Sequence, residues 1–332
     1  MNIKSILESL VELKSLDSNQ AENLMSSVML GEISESQIAA LLIALRMKGE
    51  SVDELIGFVK AMRSKMKYLD LSVDAVDLCG TGGDGWNTFN VSTTASFVVA
   101  GAGLKVAKHG NRSISSKSGS ADVLQALQIP IDLDSNQVKN SIEEKGLGFL
   151  FAPNYHPAMK YVMPARKSLK IRTVFNLLGP LCNPCGVKRQ VVGVFSKDWI
   201  TPLAKVLGEL GAEHVIVVHG SNGMDEFSMS STSHYAEWRH GELNIGELNP
   251  ETLGLELCSE EIFIGGDAHH NAQITIEILK GVEGPKRNMV LLNAAAAIRV
   301  GSDLSWSEAL KRAAHSIDSG SAMTVLENLK GS

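Results

Sequence analysis

Five short apolar runs dominate the middle of the chain: DAVDLC (74–79), LKVAK (104–108), LGFLFA (147–152), RQVVGVF (189–195) and HVIVVHG (214–220). Each reads as a strand buried on both faces, and helical stretches alternate with them, as a parallel sheet demands. The pattern predicts an α/β fold with a central, mostly parallel sheet covered by helices. One segment departs from it. SHYAEWRHGELNI (233–245) has alternating flanks around a central turn, which predicts an antiparallel hairpin.

The first seventy residues follow a helical grammar. Asp17-x-x-Gln20, Ser34-x-x-Gln37 and Ser51-x-x-Glu54 have the spacing of capping boxes, and Gly31 and Gly49 stand where helices would stop. Ile38, Leu41, Leu42 and Leu45 recur at helical spacing. Helices are expected over 3–14, 18–30, 35–48 and 52–68, and again over 163–180. This predicts a small all-α domain at 1–70, with a contribution from about 163–182, and an α/β domain at 71–332. Several of these helices are apolar on more than one face, so a second subunit is expected to cover them.

Length and composition exclude other classes. The 332 residues suffice for two domains without disulfide or metal staples. Four cysteines are too few for a disulfide framework, and the acids of MNIKSILESLVELKS do not suit a signal peptide. A cytoplasmic protein with no membrane association is expected. The net charge of −6 speaks against nucleic acid. That charge is unevenly spread: between Asp84 and Asp122, and again between Glu144 and Asp198, there are 13 Lys and Arg and no acid, leaving 18 bases to face all 37 acids elsewhere. If the two windows meet, they form a positive site for a small anion.

Both windows carry chemistry-bearing motifs. Gly80-Thr81-Gly82-Gly83-Asp84-Gly85 follows a predicted strand and leads to a helix start at Asn90, Val91, Ser92 and Thr93, a combination that offers backbone N–H groups to an anion. It also fits G-x-G-x-x-G, but the acid that a dinucleotide site needs about twenty residues on is replaced by lysines at 105 and 108. Lys108 to Ser120 supplies three cations, five hydroxyls, an amide and a histidine, donors suited to phosphate. Asp225-Glu226 follows the fifth strand and has the character of a Mg²⁺ site, although such a pair also occurs in solvated turns. Arg166, with Tyr155 and His156 upstream, could hold a carboxylate beside an aromatic ring or lie on a core helix. Cys182-x-x-Cys185 lacks the second pair a structural zinc needs, and His269-His270 reads as a helix start capped by Asp267.

In order along the chain, the glycine loop with NVST, KHGNRSISSKSGSAD, FAPNYHPAMKYVMPARKSLKIRTVFNLLGPLCNP, VVHGSNGMDEFS and NAQITIEILKG resemble the anthranilate phosphoribosyltransferase family over essentially the whole chain. The resemblance implies transfer of the phosphoribosyl group of 5-phosphoribosyl 1-diphosphate to anthranilate, in tryptophan biosynthesis. It implies donor contacts at Gly80, Gly83, Asp84, Thr88, Asn90, Val91, Ser92, Thr93, Lys108, His109, Gly110, Asn111, Arg112, Ser113, Ile114, Ser115, Ser116 and Ser120. Anthranilate contacts are implied at Gly80, Asn111 and Arg166, with Tyr155 and His156 along its access path. Ser92, Asp225 and Glu226 match Mg²⁺ positions, two ions per subunit, and the family is homodimeric through its helical domain. No catalytic residue is assigned; His109 is the candidate proton acceptor. The alternatives are a pyrimidine nucleoside phosphorylase-like enzyme and a non-catalytic nucleic-acid-binding relative. The latter would be expected to lose the loop or the acidic pair.

Overall fold

The computed structural model describes residues 2–113 and 117–331. Its seven strands are β1 (Val76–Gly80), β2 (Val106–Gly110), β3 (Leu147–Phe151), β4 (Arg189–Gly193), β5 (His214–Gly220), β6 (Ser233–Arg239) and β7 (Glu242–Leu248). They form one sheet in the order β3-β2-β1-β4-β5-β6-β7. The first five are parallel, with Val76 opposite both Val106 and Arg189, and β6 and β7 complete one edge as the expected antiparallel hairpin. Two predicted runs end early. The third stops at Phe151 because Ala152 opens a short helix, and the fourth stops at Gly193.

Alternation along the strands divides the core. Val191, Ile216 and Val218 face the helices Val91–Gly101 and Pro285–Ser302, whereas Val192, Val215 and Val217 share a cluster with the helix Ile200–Glu209 and the N-terminal helices. The sheet order reverses between β1 and β4. In α/β sheets such a reversal is where ligands are placed, in the crevice outside the carboxyl ends of the strands.

The N-terminal helices are Ile3–Val11, Ser18–Leu30, Glu35–Lys48 and Val52–Lys65. All three capping boxes form with reciprocal hydrogen bonds. The first helix ends before residue 14 because Leu13 turns to φ 61°, and the fourth ends at Lys65 rather than 68. The segment 163–180 is two helices rather than one, Met163–Leu169 and Val174–Leu178, separated where Lys170 adopts φ 53°. Both pack on the N-terminal bundle, with Ala165, Val174 and Phe175 in one cluster with Leu24, Leu41 and Phe58. Among the described residues no helix is long and apolar enough to cross a membrane.

Glu54 does more than complete its capping box. Fully buried, it accepts from Leu16 N at 3.0 Å and Ser51 N at 2.8 Å and pairs with Lys48 Nζ at 2.8 Å, joining three segments of the bundle. Removing one partner of a buried ion pair strands the other. Lys48→Met is therefore expected to lower stability by about 3 kcal/mol in urea unfolding, and a loss below about 1 kcal/mol would mean the pair is not holding the bundle.

Candidate active site

β1 runs directly into the glycine loop, where Gly82 and Gly83 have φ of 67° and 75°, a region L side chains avoid. The loop is held by Thr81 N donating to Gly193 O at 2.9 Å, Phe195 N to Thr81 Oγ1 at 3.2 Å, and Gly82 N to Asp225 Oδ2 at 2.7 Å. Asp225 arrives from the loop after β5. A Cβ on residue 193 would overlap its carbonyl oxygen, and one on residue 80 would overlap Oδ2. Two glycines thus open the gap through which the acidic pair reaches the crevice. Glu226 Oε1 accepts from Ser92 N at 3.2 Å, at the start of the helix Val91–Gly101. Burial, reinforced by the charges of Asp84 and Glu226, holds the Asp225 carboxyl well above the usual range. Burial also pushes Glu226 up to about 7, with Lys108 opposing.

The second loop is less free than its sequence suggests. Lys108 lies in β2, buried, with Nζ donating to Leu78 O at 2.7 Å and lying 3.5 Å from Ser92 Oγ. Burial lowers its pKa, and Asp77 and Glu226 act in the opposite sense. The Arg112 guanidinium pairs with Asp122 at 3.0 Å. Asp122 also accepts from Ser113 N at 3.1 Å and Gly119 N at 2.9 Å, drawing the two stems together. Two of the three predicted cations are thus already engaged. Asn90 donates from Nδ2 to Ser118 O at 3.2 Å and accepts at Oδ1 from Asn271 at 2.9 Å, so its amide ties both loops to the helix Ala268–Leu279.

Asn111 O accepts from Ser120 Oγ at 3.2 Å, and Gly110 packs against that hydroxyl and Phe149 with no room for a side chain. Val91 and Thr93 are buried in the helix, and Thr88 bridges to Ile264. Ile114, Ser115 and Ser116 lie outside the described residues.

A buried polar network supports the adjoining wall. Asp77 accepts from His109 N at 3.2 Å, Asn183 Nδ2 at 2.8 Å and Gln190 Nε2 at 3.3 Å, and burial raises it to about 6. It anchors the 179–185 segment, whose main chain takes a ring hydrogen bond from His109 at Gly179 and from His156 at Cys182. The two rings lie 5.1 Å apart, and each Nε2 is buried with no partner among the described residues. Burial drives His109 down to about 3 and His156 down to about 4, so both are neutral at pH 7. With the other ring nitrogen donating to a carbonyl, Nε2 offers a lone pair.

Arg166 is half-buried and stacked on Phe175 at 5.7 Å, with no acidic partner among the described residues. Tyr155 lies apart from the histidine pair. Its ring packs in a separate small cluster with Ala107, Val138 and Ile142, and no ring contact joins it to the histidine pair. Cys182 and Cys185 are buried free thiols, each raised by burial to about 12. Asp267 caps the His269-His270 helix as expected.

The donor set fits Mg²⁺. Ser92, Asp225 and Glu226 offer hard oxygen atoms, and the raised carboxyl pKa values reflect crowded buried charge that a divalent cation relieves. Among the described residues no three His, Cys, Asp or Glu side chains converge on one point. Mg²⁺ typically takes one or two carboxylates and completes its shell with water and substrate phosphate oxygens.

Both buried imidazoles stay neutral in the folded chain where the unfolded chain protonates them, near pH ~6.5. The unfolded state then binds more protons, so stability falls as pH drops from about 6.5 toward the folded values. Two of the nine histidine rings are expected not to titrate between about pH 8 and 5 in NMR spectra, and His156→Asn to flatten the acid limb of stability. Titration of both rings near about 6.5 would contradict their burial.

Comparison with known proteins identifies the family. The description "Glycosyl transferase family, a/b domain" matches residues 72–323, and "Glycosyl transferase family, helical bundle domain" matches residues 4–66. The anthranilate phosphoribosyltransferase of Rhodopseudomonas palustris (strain CGA009) is 49% identical over 330 residues, 99% of this chain and 98% of that protein. That of Bradyrhizobium sp. (strain ORS 278) is 50% identical over 329 residues, again 99% and 98%. The crystal structure of the Thermus thermophilus enzyme superposes with a TM-score of 0.92 at 38% identity, covering 100% of this chain and 99% of that one. The Saccharomyces cerevisiae enzyme in complex with PRPP and Mg superposes with a TM-score of 0.90 at 29% identity, covering 99% and 97%. The chain belongs to the anthranilate phosphoribosyltransferase family.

Proposed function

We propose that this chain transfers the phosphoribosyl group of 5-phosphoribosyl 1-diphosphate to the amine of anthranilate, releasing diphosphate, as a step of tryptophan biosynthesis. The observation that carries this reading is a convergence at the sheet's switch point. The glycine loop, the buried pair Asp225 and Glu226 and the helix start at Ser92 meet there, on a chain matched end to end by enzymes of that name. The donor is assigned to Gly80, Gly83, Asp84, Thr88, Val91, Ser92, Thr93, Lys108, Gly110, Ser113, Ser120 and the loop that joins them. Asn90, Asn111 and Arg112 shape that loop as well as facing it. Anthranilate is assigned to the Arg166 side, near His109 and His156.

In this reaction the bond from C1 to the diphosphate oxygen breaks as the amine lone pair bonds to C1. Negative charge builds on the leaving group and positive charge on the ribose. Asp225, Glu226 and Ser92 would hold Mg²⁺, which would neutralise charge on the departing diphosphate. Backbone N–H groups of the glycine loop and helix start donate to the same charge. An aromatic amine is uncharged at neutral pH, so it needs positioning rather than a strong base. The proton it sheds on bonding is acidic, and the neutral Nε2 of His109 suits a weak acceptor. Two Mg²⁺ per subunit, a cytoplasmic setting and a homodimer through the N-terminal helices complete the reading, with helical and α/β lobes divided at residues 1–70, with 163–182, and 71–332. Exposed Val11, Leu30 and Met47 on those helices support the dimer.

A nucleoside phosphorylase would share the phosphate loop, and the full Gly80-Thr81-Gly82-Gly83-Asp84 loop with the Arg166 segment favours the transferase. The test is Mg²⁺-dependent loss of anthranilate fluorescence in the presence of the donor; folded protein that consumes no anthranilate at any Mg²⁺ concentration would end the assignment. Arg166→Ala is expected to raise the anthranilate KM roughly tenfold or more and to change the donor KM little.

A further inference from the structure

Arg172 lies in the break between the helices Met163–Leu169 and Val174–Leu178, on the bundle side of the crevice. Its side chain nevertheless reaches the other side. The guanidinium stacks on Phe195 at 4.5 Å, and its Cδ lies 3.5 Å from where a Cβ of Gly83 would be. Phe195 itself donates its N–H to Thr81 of the glycine loop. The end of β4, the glycine loop and the bundle-side segment therefore meet at one guanidinium. The sequence sets this up: Lys170 at φ 53° reverses the chain, and no acid occurs between Glu144 and Asp198 to neutralise the cation.

Of the neighbouring cations, two are bonded within the fold and a third is stacked on a ring. Lys108 is held by Leu78 O, Arg112 by Asp122, and Arg166 lies on Phe175. Arg172 has no acidic partner among the described residues and keeps its N–H groups available, because stacking on a ring uses the face and leaves the edge. Gly82 and Gly83 beside it are exposed.

We propose that Arg172 is a donor-binding residue that engages the phosphate charge of 5-phosphoribosyl 1-diphosphate over the glycine loop, supplied from the bundle side of the crevice. The inference rests on the substrate reading above and adds a residue to it. Phe195 sets the plane of the guanidinium, Gly83 leaves room for its stem, and the edge N–H groups meet phosphate oxygens in the paired geometry that Arg favours. Arg166 and Arg172 then divide the two anionic substrates between them.

The experiment measures donor binding by titration calorimetry with Mg²⁺ and no anthranilate, and both KM values, for the wild type, Arg172→Ala and Arg172→Lys. Arg172→Ala is expected to raise the donor Kd and KM about tenfold while the anthranilate KM stays within about twofold. Arg172→Lys, which keeps the charge but not the planar fork, is expected to fall between, and the gap between Arg172→Ala and the wild type to narrow at high salt. An unchanged donor Kd in Arg172→Ala, or an equal rise in both KM values, would overturn the proposal. A wild-type protein that neither binds the donor nor consumes anthranilate would instead overturn the substrate reading.

Discussion

The structure depends on one close approach. The main chain of Asp225 passes against β4 where only a glycine at 193 leaves room, and its carboxylate lies against Gly80 at the end of β1. That contact places an acidic pair between the two strands at which the sheet order reverses. It also ties the pair to the glycine loop, since Asp225 accepts from Gly82 N. Everything else in the crevice is arranged around this point: Glu226 reaches the helix start at Ser92, and Lys108 lies between them and Asp77.

The charge segregation of the sequence takes on a spatial meaning here. The two acid-free windows supply the glycine-loop helix, the Lys108 loop and the segment carrying Arg166 and Arg172, and they meet across one crevice. Yet several of their cations serve the fold first. Arg112 and Asp122 close the second loop, and Lys108 is a buried strand residue. Arg166 and Arg172, stacked on Phe175 and Phe195, have no acidic partner among the described residues, which suits a reaction whose two substrates are both anions.

Much of this was legible in the sequence because it follows local rules. The capping boxes at Asp17, Ser34 and Ser51, the five buried strands and the hairpin are set by side-chain pattern and turn chemistry. The break at Lys170 was not legible: apolar spacing continues through it, and only tertiary packing forces φ 53° on a lysine. The pairing of Asp77 with Asn183 and Gln190, of Asn90 with Asn271, and of Arg172 with Phe195 was also hidden. Each joins residues far apart in the chain, and a lone polar residue in an apolar run carries no sign of its partner. Tyr155 shows the converse. Its neighbour His156 packs against His109 while its own ring fills a separate cluster, a difference that adjacency in sequence conceals.

On the proposed reading, Asp225 and Glu226 enter this positive crevice in order to hold Mg²⁺ for a diphosphate. Calorimetric titration of 5-phosphoribosyl 1-diphosphate with and without Mg²⁺ tests it directly, comparing the wild type with a variant carrying both Asp225→Asn and Glu226→Gln. Mg²⁺ is expected to tighten donor binding in the wild type and to have little effect in the double variant. Equal tightening by Mg²⁺ in both proteins would contradict it.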